Sequence, residues 1–180
     1  MKAFIKGLIL KRFFLFLVLS FKILNANDLE FDTLKSDFTQ IITNQNKSIT
    51  YSGHFIIDSK FGAFWQYENP NLKFVYFSKT NITIIEPDLE QAVITQISDA
   101  PDLLTLLSGA KQINKSTFEA NFDDVKYRIF TQNALPAQIS YTDKLGNDVK
   151  ITLKNTHKNE VINKELLESK IPQNYDIITN

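Results

Sequence analysis

Gly53–Gln91 reads GHFIIDSKFGAFWQYENPNLKFVYFSKTNITIIEPDLEQ, a stretch crowded with aromatic and β-branched side chains that ends in a Pro-Asp-Leu-Glu-Gln corner. Such residues suit a pleated, half-buried surface better than a helix, where their χ1 freedom is lost against the preceding turn. A chain built around this stretch is predicted to be a β-sheet protein with an apolar interior.

The alternation starts upstream. Phe38, Gln40 and Ile42 alternate with Thr39, Ile41 and Thr43 in a first strand from Ser36, and Asn44–Lys47 is a polar turn. Ile49, Tyr51, Gly53, Phe55 and Ile57 share one face of a second strand, paired antiparallel with the first. Gly53 in mid-strand predicts a bend or bulge. Further strands are expected at Phe61–Tyr67, Leu72–Phe77, Ile82–Glu86 and Leu89–Ile97, then at Thr117–Phe122, Val125–Thr131, Gln138–Thr142 and Val149–Lys154. Asn69–Asn71 and Lys144–Asn147 supply turns. Consecutive short strands of this kind argue for an antiparallel meander.

Between the two series lies Ser98–Gly109. Asp99 can cap a helix, Pro101 suits its first turn and Gly109 its end. Leu103, Leu104, Leu106 and Leu107 give that helix more leucine than one narrow face needs, so it must lie under a sheet or over a cavity. A short helix is also expected at Asp28–Lys35, with Leu29, Phe31 and Leu34 on its apolar side. Leu166–Tyr175 is a C-terminal segment broken by Pro172.

The first 26 residues differ from the rest. Lys2, Lys6, Lys11 and Arg12 precede the apolar run Phe13–Phe21, and Ala26 offers a small residue for cleavage before Asn27. This is the layout of a secretory signal peptide, and the run is shorter than the roughly 20 residues a bilayer span needs. The expected organisation is therefore a signal peptide at 1–26 and one exported domain at 27–180. The chain has 20 Lys+Arg and 20 Asp+Glu; five basic and no acidic residues fall in 1–26, which leaves 15 against 20 and a formal charge of −5 for the remainder. An acidic domain without a basic run is a poor nucleic-acid binder. With no cysteine, disulfides, thiolate metal sites, cysteine nucleophiles and a lipidated N-terminal cysteine are excluded.

Catalytic candidates are few. His54 and His157 are the two histidines, and neither stands at metal-ligand spacing. Glu86, Asp88 and Glu90 cluster at a strand break, where they suit a cation, acid/base work or a solvated turn with capping roles. No nucleophile is paired with a base. Phenylalanine is the other candidate resource: 15 Phe, 6 Tyr and one Trp, with few helices to cover them, fit either an ordinary core or an apolar cavity.

A set of motifs in fixed order adds to this reading: Phe38-Thr39-Gln40, Tyr51-x-Gly53, Trp65-x-Tyr67-x-x-Pro70-x-x-Lys73, Glu86-Pro87-Asp88-Leu89-Glu90-Gln91-Ala92, and the leucines at 103–107. Along most of residues 27–180 the chain resembles the LolA family, the periplasmic lipoprotein carriers. The resemblance implies a mainly β (α+β) fold: one open antiparallel half-barrel sheet whose apolar concave face is covered by a few lid helices. It implies a periplasmic carrier that binds the acyl chains of lipoproteins released from the inner membrane and delivers them to the outer membrane. The implied partners are acylated lipoproteins and an inner-membrane lipoprotein-releasing ABC transporter, with an outer-membrane receptor left open. The expected protein is monomeric, is not an enzyme, and takes no cofactor, metal or nucleic acid. The alternative is a periplasmic binding or sensing protein for another lipid on the same fold.

The ligand-binding candidates are Phe38, Tyr51, Phe55, Ile57, Trp65, Tyr67 and Phe74 from the sheet and Leu103, Leu104 and Leu107 from the lid helix. Many family members bond a lid through an arginine before the tryptophan. Here Ser59 takes that position, and Lys60, one residue later, is the candidate latch; the family's aromatic residue there falls on Ala63, beside Phe64.

Overall fold

The computed structural model describes residues 29–96 and 103–179, apart from the side chains of Leu104 and Thr105. The first series of strands is β1 (Thr33–Asn44), β2 (Lys47–Asp58), β3 (Gly62–Asn69), β4 (Lys73–Phe77), β5 (Asn81–Glu86) and β6 (Gln91–Gln96). Helix α1 (Leu103–Ser108) follows, then β7 (Lys111–Asn114), β8 (Thr117–Phe122), β9 (Val125–Gln132), β10 (Leu135–Thr142), β11 (Asp148–Lys158) and β12 (Asp176–Thr179). All belong to one sheet of twelve strands, in the order β12-β6-β5-β4-β3-β2-β1-β11-β10-β9-β8-β7. The sheet is open, and β12 and β7 are its edges.

Two meanders are joined at one seam. Strand β1 pairs with β2 along its whole length and with β11 on its other side, both antiparallel. The seam carries a register irregularity at Ser36, between Lys35 and Asp37. There the buried Ser36 hydroxyl donates to the Lys154 carbonyl at 2.8 Å and meets Thr156 Oγ1 at 2.9 Å. A polar group inside a sheet needs such partners, because an unsatisfied one costs about 1–3 kcal/mol.

Glycine permits two close approaches in the first meander. A Cβ on Gly53 would stand 1.8 Å from the Gln66 carbonyl oxygen, and the β2–β3 register slips between Ser52 and Gly53. At Gly62, φ is +123° and a Cβ would come within 2.1 Å of the Phe77 carbonyl oxygen. The bulge expected at Gly53 is therefore present, and it lets the backbones of β2 and β3 close together.

Two expectations need correction. No helix occupies Asp28–Lys35: Asp28 lies outside the described residues, Leu29–Asp32 are not helical, and β1 already includes Thr33–Lys35. A segment this short makes a marginal helix, while β2 offers it partners out to Asp58. Leu29 and Phe31 are buried all the same, in one cluster with Leu34, Leu106 and Leu107. The sheet is also not wholly antiparallel, because β12 runs parallel to β6. Helix α1 occupies the second half of the segment expected at Ser98–Gly109 and ends beside Gly109, as expected, while residues 98–102 lie outside the described residues. Among the described residues no helix is long and apolar enough to cross a membrane.

Residues 159–175 link β11, beside β1, to β12, beside β6, so they cross the sheet as a strap. Its root is tied to β1: Asn159 N donates to Thr33 O at 2.9 Å, and Thr33 Oγ1 donates to Glu160 O at 2.8 Å. Its 3-10 turn, Lys164–Leu167, packs against β3 and buries Leu167. The Lys164 ammonium lies 3.8 Å from the centre of the Phe61 ring. Its far end is held by Asp176 N donating to Glu90 O at 2.9 Å. The strap lies over the outer face of the first meander, where Phe64, Ile85 and Ala92 are buried.

Candidate functional site

Because side chains alternate across a strand, the register assigns each one to a face. Phe38, Gly53 and Tyr67 are neighbours across β1, β2 and β3, as are Phe55, Trp65 and Val75 across β2, β3 and β4. These line the inner, concave face. The rings interlock: Phe55 stacks on Trp65 at 4.5 Å between centroids, and Phe38 meets Trp65 at 5.1 Å and Tyr67 at 5.0 Å. Tyr51 meets Tyr67 edge-on at 5.9 Å. On the other side of the seam, Tyr127 and Tyr141 pack at 4.6 Å.

Curvature brings these two walls to face each other across a cavity of about 250 Å³. One wall is Ala63, Trp65, Tyr67, Val75 and Phe77; the other is Tyr127, Ile139, Tyr141 and Ile151. Leu103 and Leu106 of α1 close it, and Gln40 is the polar member of the lining. A second space of about 460 Å³ opens from it, lined by Gln40, Ile42, Tyr51, Tyr67, Pro70, Asn71, Lys73, Val75 and Glu86. Gln40, Tyr67 and Val75 border both, so the two form one trough.

The trough is uncharged at depth. Burial, followed by the neighbouring Tyr51, pushes the Tyr67 phenol up to about 12, and burial likewise raises Tyr141 to about 12. Both phenols stay neutral in any physiological medium. Tyr67 Oη donates to Gln40 Oε1 at a long 3.4 Å. Charge appears at the outer end, where Lys73 Nζ lies 3.0 Å from Glu86 Oε1 and Gln91 Nε2 donates to Glu86 Oε2 at 2.8 Å. The Gln91 bond, then Lys73, holds the Glu86 carboxyl below the usual range.

The sequence-predicted residues divide into four groups. Trp65, Tyr67 and Leu103 line the cavity, and Tyr51 lines the outer space. Phe38, Phe55, Ile57 and Leu107 are at most 3% exposed and form the packed foundation beneath the lining. Phe74 is misplaced: it lies on the outer face, 6.2 Å from Phe64 and across from Ile85. The turn after Tyr67 sets Lys73, not Phe74, opposite it, and a shift of one residue reverses a strand's face. The side chain of Leu104 lies outside the described residues. Lys60 stands in the exposed β2–β3 turn, where its backbone N–H donates to Asp58 Oδ1 at 2.8 Å. Ser59 N donates to Asp32 O at 2.9 Å.

The second wall was not foreseen. Tyr127, Ile139, Tyr141 and Ile151 sit on alternating positions of β9, β10 and β11, a signal present in the sequence. Only the β1–β11 seam shows that they come opposite Trp65. Of the carboxylate cluster, Glu86 is engaged as above, and Glu90 is the left-handed residue (φ 49°) closing the 3-10 turn Pro87–Leu89. No group of three or more metal-ligating side chains forms among the described residues. His54 pairs with Glu68 at 3.3 Å and His157 with Glu160 at 2.9 Å, both outside the trough.

Comparison with known proteins agrees with this geometry. The model of the family described as outer membrane lipoprotein carrier protein LolA matches residues 30–127. An outer-membrane lipoprotein carrier protein of Campylobacter jejuni is 40% identical over 169 residues, 94% of this chain and 99% of that protein. One from Wolinella succinogenes is 32% identical over 136 residues, 74% of this chain and 79% of that protein. Among solved structures, an uncharacterised conserved protein from Thermus thermophilus superposes with a TM-score of 0.53 at 8% identity, over 86% of this chain and 94% of the other, a likeness of fold. With a family model matching more than half its length and a close relative matching nearly all of it, the chain belongs to the LolA family of outer membrane lipoprotein carrier proteins.

Proposed function

We propose that the protein carries lipoproteins to the outer membrane by sheltering their acyl chains in the trough between the two meanders. The observation that carries this reading is a cavity of about 250 Å³ walled by aromatic and aliphatic side chains and continuous with an open outer space. Each methylene taken from water into such a lining contributes about 0.8 kcal/mol, so even part of one acyl chain is held firmly. Release then requires the trough to open, and α1, which closes it through Leu103 and Leu106, is the element placed to move. In this reading Trp65, Tyr67, Tyr51 and Leu103 touch the ligand, Phe38, Phe55, Ile57 and Leu107 support them, and Lys60 is the candidate latch for α1.

Residues 1–26 act as a signal peptide and residues 27–180 as a periplasmic carrier domain. An inner-membrane lipoprotein-releasing transporter supplies the cargo, and the protein works as a monomer without cofactor. We read it as a carrier and not an enzyme, and the engagement of Glu86, the carboxylate of the trough lining, by Lys73 and Gln91 supports that reading.

The test is lipoprotein release. Mature protein added to spheroplasts that make a labelled outer-membrane lipoprotein is expected to bring it into the supernatant as a one-to-one complex. Folded protein that releases nothing would move the reading to a binding or sensing protein for another lipid.

A further inference from the structure

The trough has a polarity gradient. Its deep end is bounded mainly by apolar side chains, Ala63, Trp65, Phe77, Leu106, Ile139 and Ile151, with the Tyr127 and Tyr141 rings beside them and no charged group. Its outer end gathers hydrogen-bond donors: the Lys73 ammonium, the Tyr51 hydroxyl and the Gln40 amide. Only one of the three ammonium protons is needed for the contact with Glu86 Oε1, and the Gln40 bond from Tyr67 uses its oxygen, so its NH₂ stays available. Glu86 offsets the charge of Lys73. The outer end is therefore rich in donors yet has no net charge.

Such a site suits neutral carbonyl oxygens. An ester or amide carbonyl accepts these bonds without adding charge. A phosphate or carboxylate brings a negative charge close to Glu86, and the one cation of the lining, Lys73, is already paired with that carboxylate. We propose that the Gln40–Tyr51–Lys73–Glu86 end of the trough is a polar subsite for the ester and amide carbonyls that join acyl chains to a lipoprotein's N-terminal cysteine, and that its balanced charge discriminates against phospholipids. This rests on the carrier reading. It adds an orientation, chain ends beneath α1 and linkages at the mouth, and a basis for choosing one lipid class over the other.

Trp65, the one tryptophan of the chain, lines the deep end and reports depth directly. The probes are a triacylated cysteinyl lipopeptide and a short-chain phosphatidylglycerol of known concentration. The lipopeptide is prepared with bromine either at the chain ends or next to the carbonyls. Chain-end bromine is expected to quench Trp65 more strongly; the reverse order overturns the orientation. The wild-type protein is expected to bind the lipopeptide at least about tenfold more tightly than phosphatidylglycerol, the scale of one charge-assisted hydrogen bond. Equal affinities overturn the discrimination.

Two variants separate a binding role from a structural one. Lys73→Met is expected to weaken the lipopeptide more than a plain long-chain alkane probe. Glu86→Gln, which leaves the ammonium uncompensated, is expected to improve phosphatidylglycerol binding and shrink the preference. If both variants weaken every probe alike, the pair is structural and the subsite is wrong. Should either variant fail to fold, the bromine gradient on the wild-type protein still decides. Failure of the wild-type protein to bind any probe sinks the carrier reading itself, whereas binding with a reversed gradient sinks only the subsite.

Discussion

The two faces of the first meander carry similar aromatic clusters and meet different fates. Inside, Phe38, Trp65 and Tyr67 pack with centroids 5.0–6.5 Å apart. Outside, Phe64, Phe74 and Tyr76 pack at 4.8–6.2 Å. The inner cluster faces a second curved wall and a six-residue helix, which leave space between them. The outer cluster lies under the strap, whose buried Leu167 fills against the sheet. Ring density alone thus does not mark a ligand site. What stands opposite the rings decides whether they become cavity or core.

The sharpest way to break this contrast is to add the same bulk at neighbouring residues of β4. Val75→Trp pushes a large ring into the point where the two parts of the trough meet, and Phe74→Trp places the same ring outside. Uptake of an alkane probe is expected to fall about tenfold or more in the first, the equivalent of two methylenes at about 0.8 kcal/mol each, and to survive in the second. Equal losses would erase the distinction between the faces.

Stability should separate foundation from strap. Phe55→Ala removes the ring stacked on Trp65 and is expected to cost about 3–5 kcal/mol by chemical denaturation. Leu167→Ala, in the strap itself, should cost about 2–3 kcal/mol while leaving the inner trough able to bind. Loss of probe binding in Leu167→Ala would mean that the faces are coupled.

Alkali tests chiefly the inner face, although burial also raises the Tyr76 phenol on the outer face. The Tyr67 and Tyr141 phenols are raised in the folded protein to about 12 from an ordinary value of 10.0. The folded state therefore keeps protons that the unfolded state has lost. Their contribution is complete below pH 10 and disappears as pH climbs through about 12. Denaturation midpoints should fall across that window, and less steeply in a Tyr67→Phe, Tyr141→Phe double variant; an unchanged slope removes these phenols as the cause. The smallest effect belongs to Lys164→Ala, which deletes the cation over Phe61 and is expected to cost about 0.5–1 kcal/mol with no change in binding.

Much of the sheet was legible because alternation is a local signal. Thr117–Phe122 coincides with β8, and the glycine in β2 announced its own bulge. Local signals failed where a distant partner decides. The helical spacing of Leu29, Phe31 and Leu34 gave way to pairing with β2, since cross-strand partners outweigh the weak preference of a short segment. Alternation puts Phe74 inside, but the register sets Lys73 opposite Tyr67 and so turns Phe74 to the other face. Ile177 and Ile178 gave no sign of a parallel edge strand, because four residues carry too little pattern. Half of the site was hidden for a similar reason. Tyr127 and Tyr141 alternate as plainly as Trp65 and Tyr67, but their meeting depends on a closure that no window of sequence contains.

That closure also has a kinetic meaning. Ser36 and Lys154, bonded at the seam, are 118 residues apart in the chain. Contacts so remote close slowly, because the loop entropy is lost before the pairing compensates for it. Until β11 arrives, the twelve residues of β1 keep one bare edge, the kind of surface on which unfinished chains associate. Substitutions that delay the second meander should therefore show first as poor yield of soluble protein, even where the finished molecule is as stable as before.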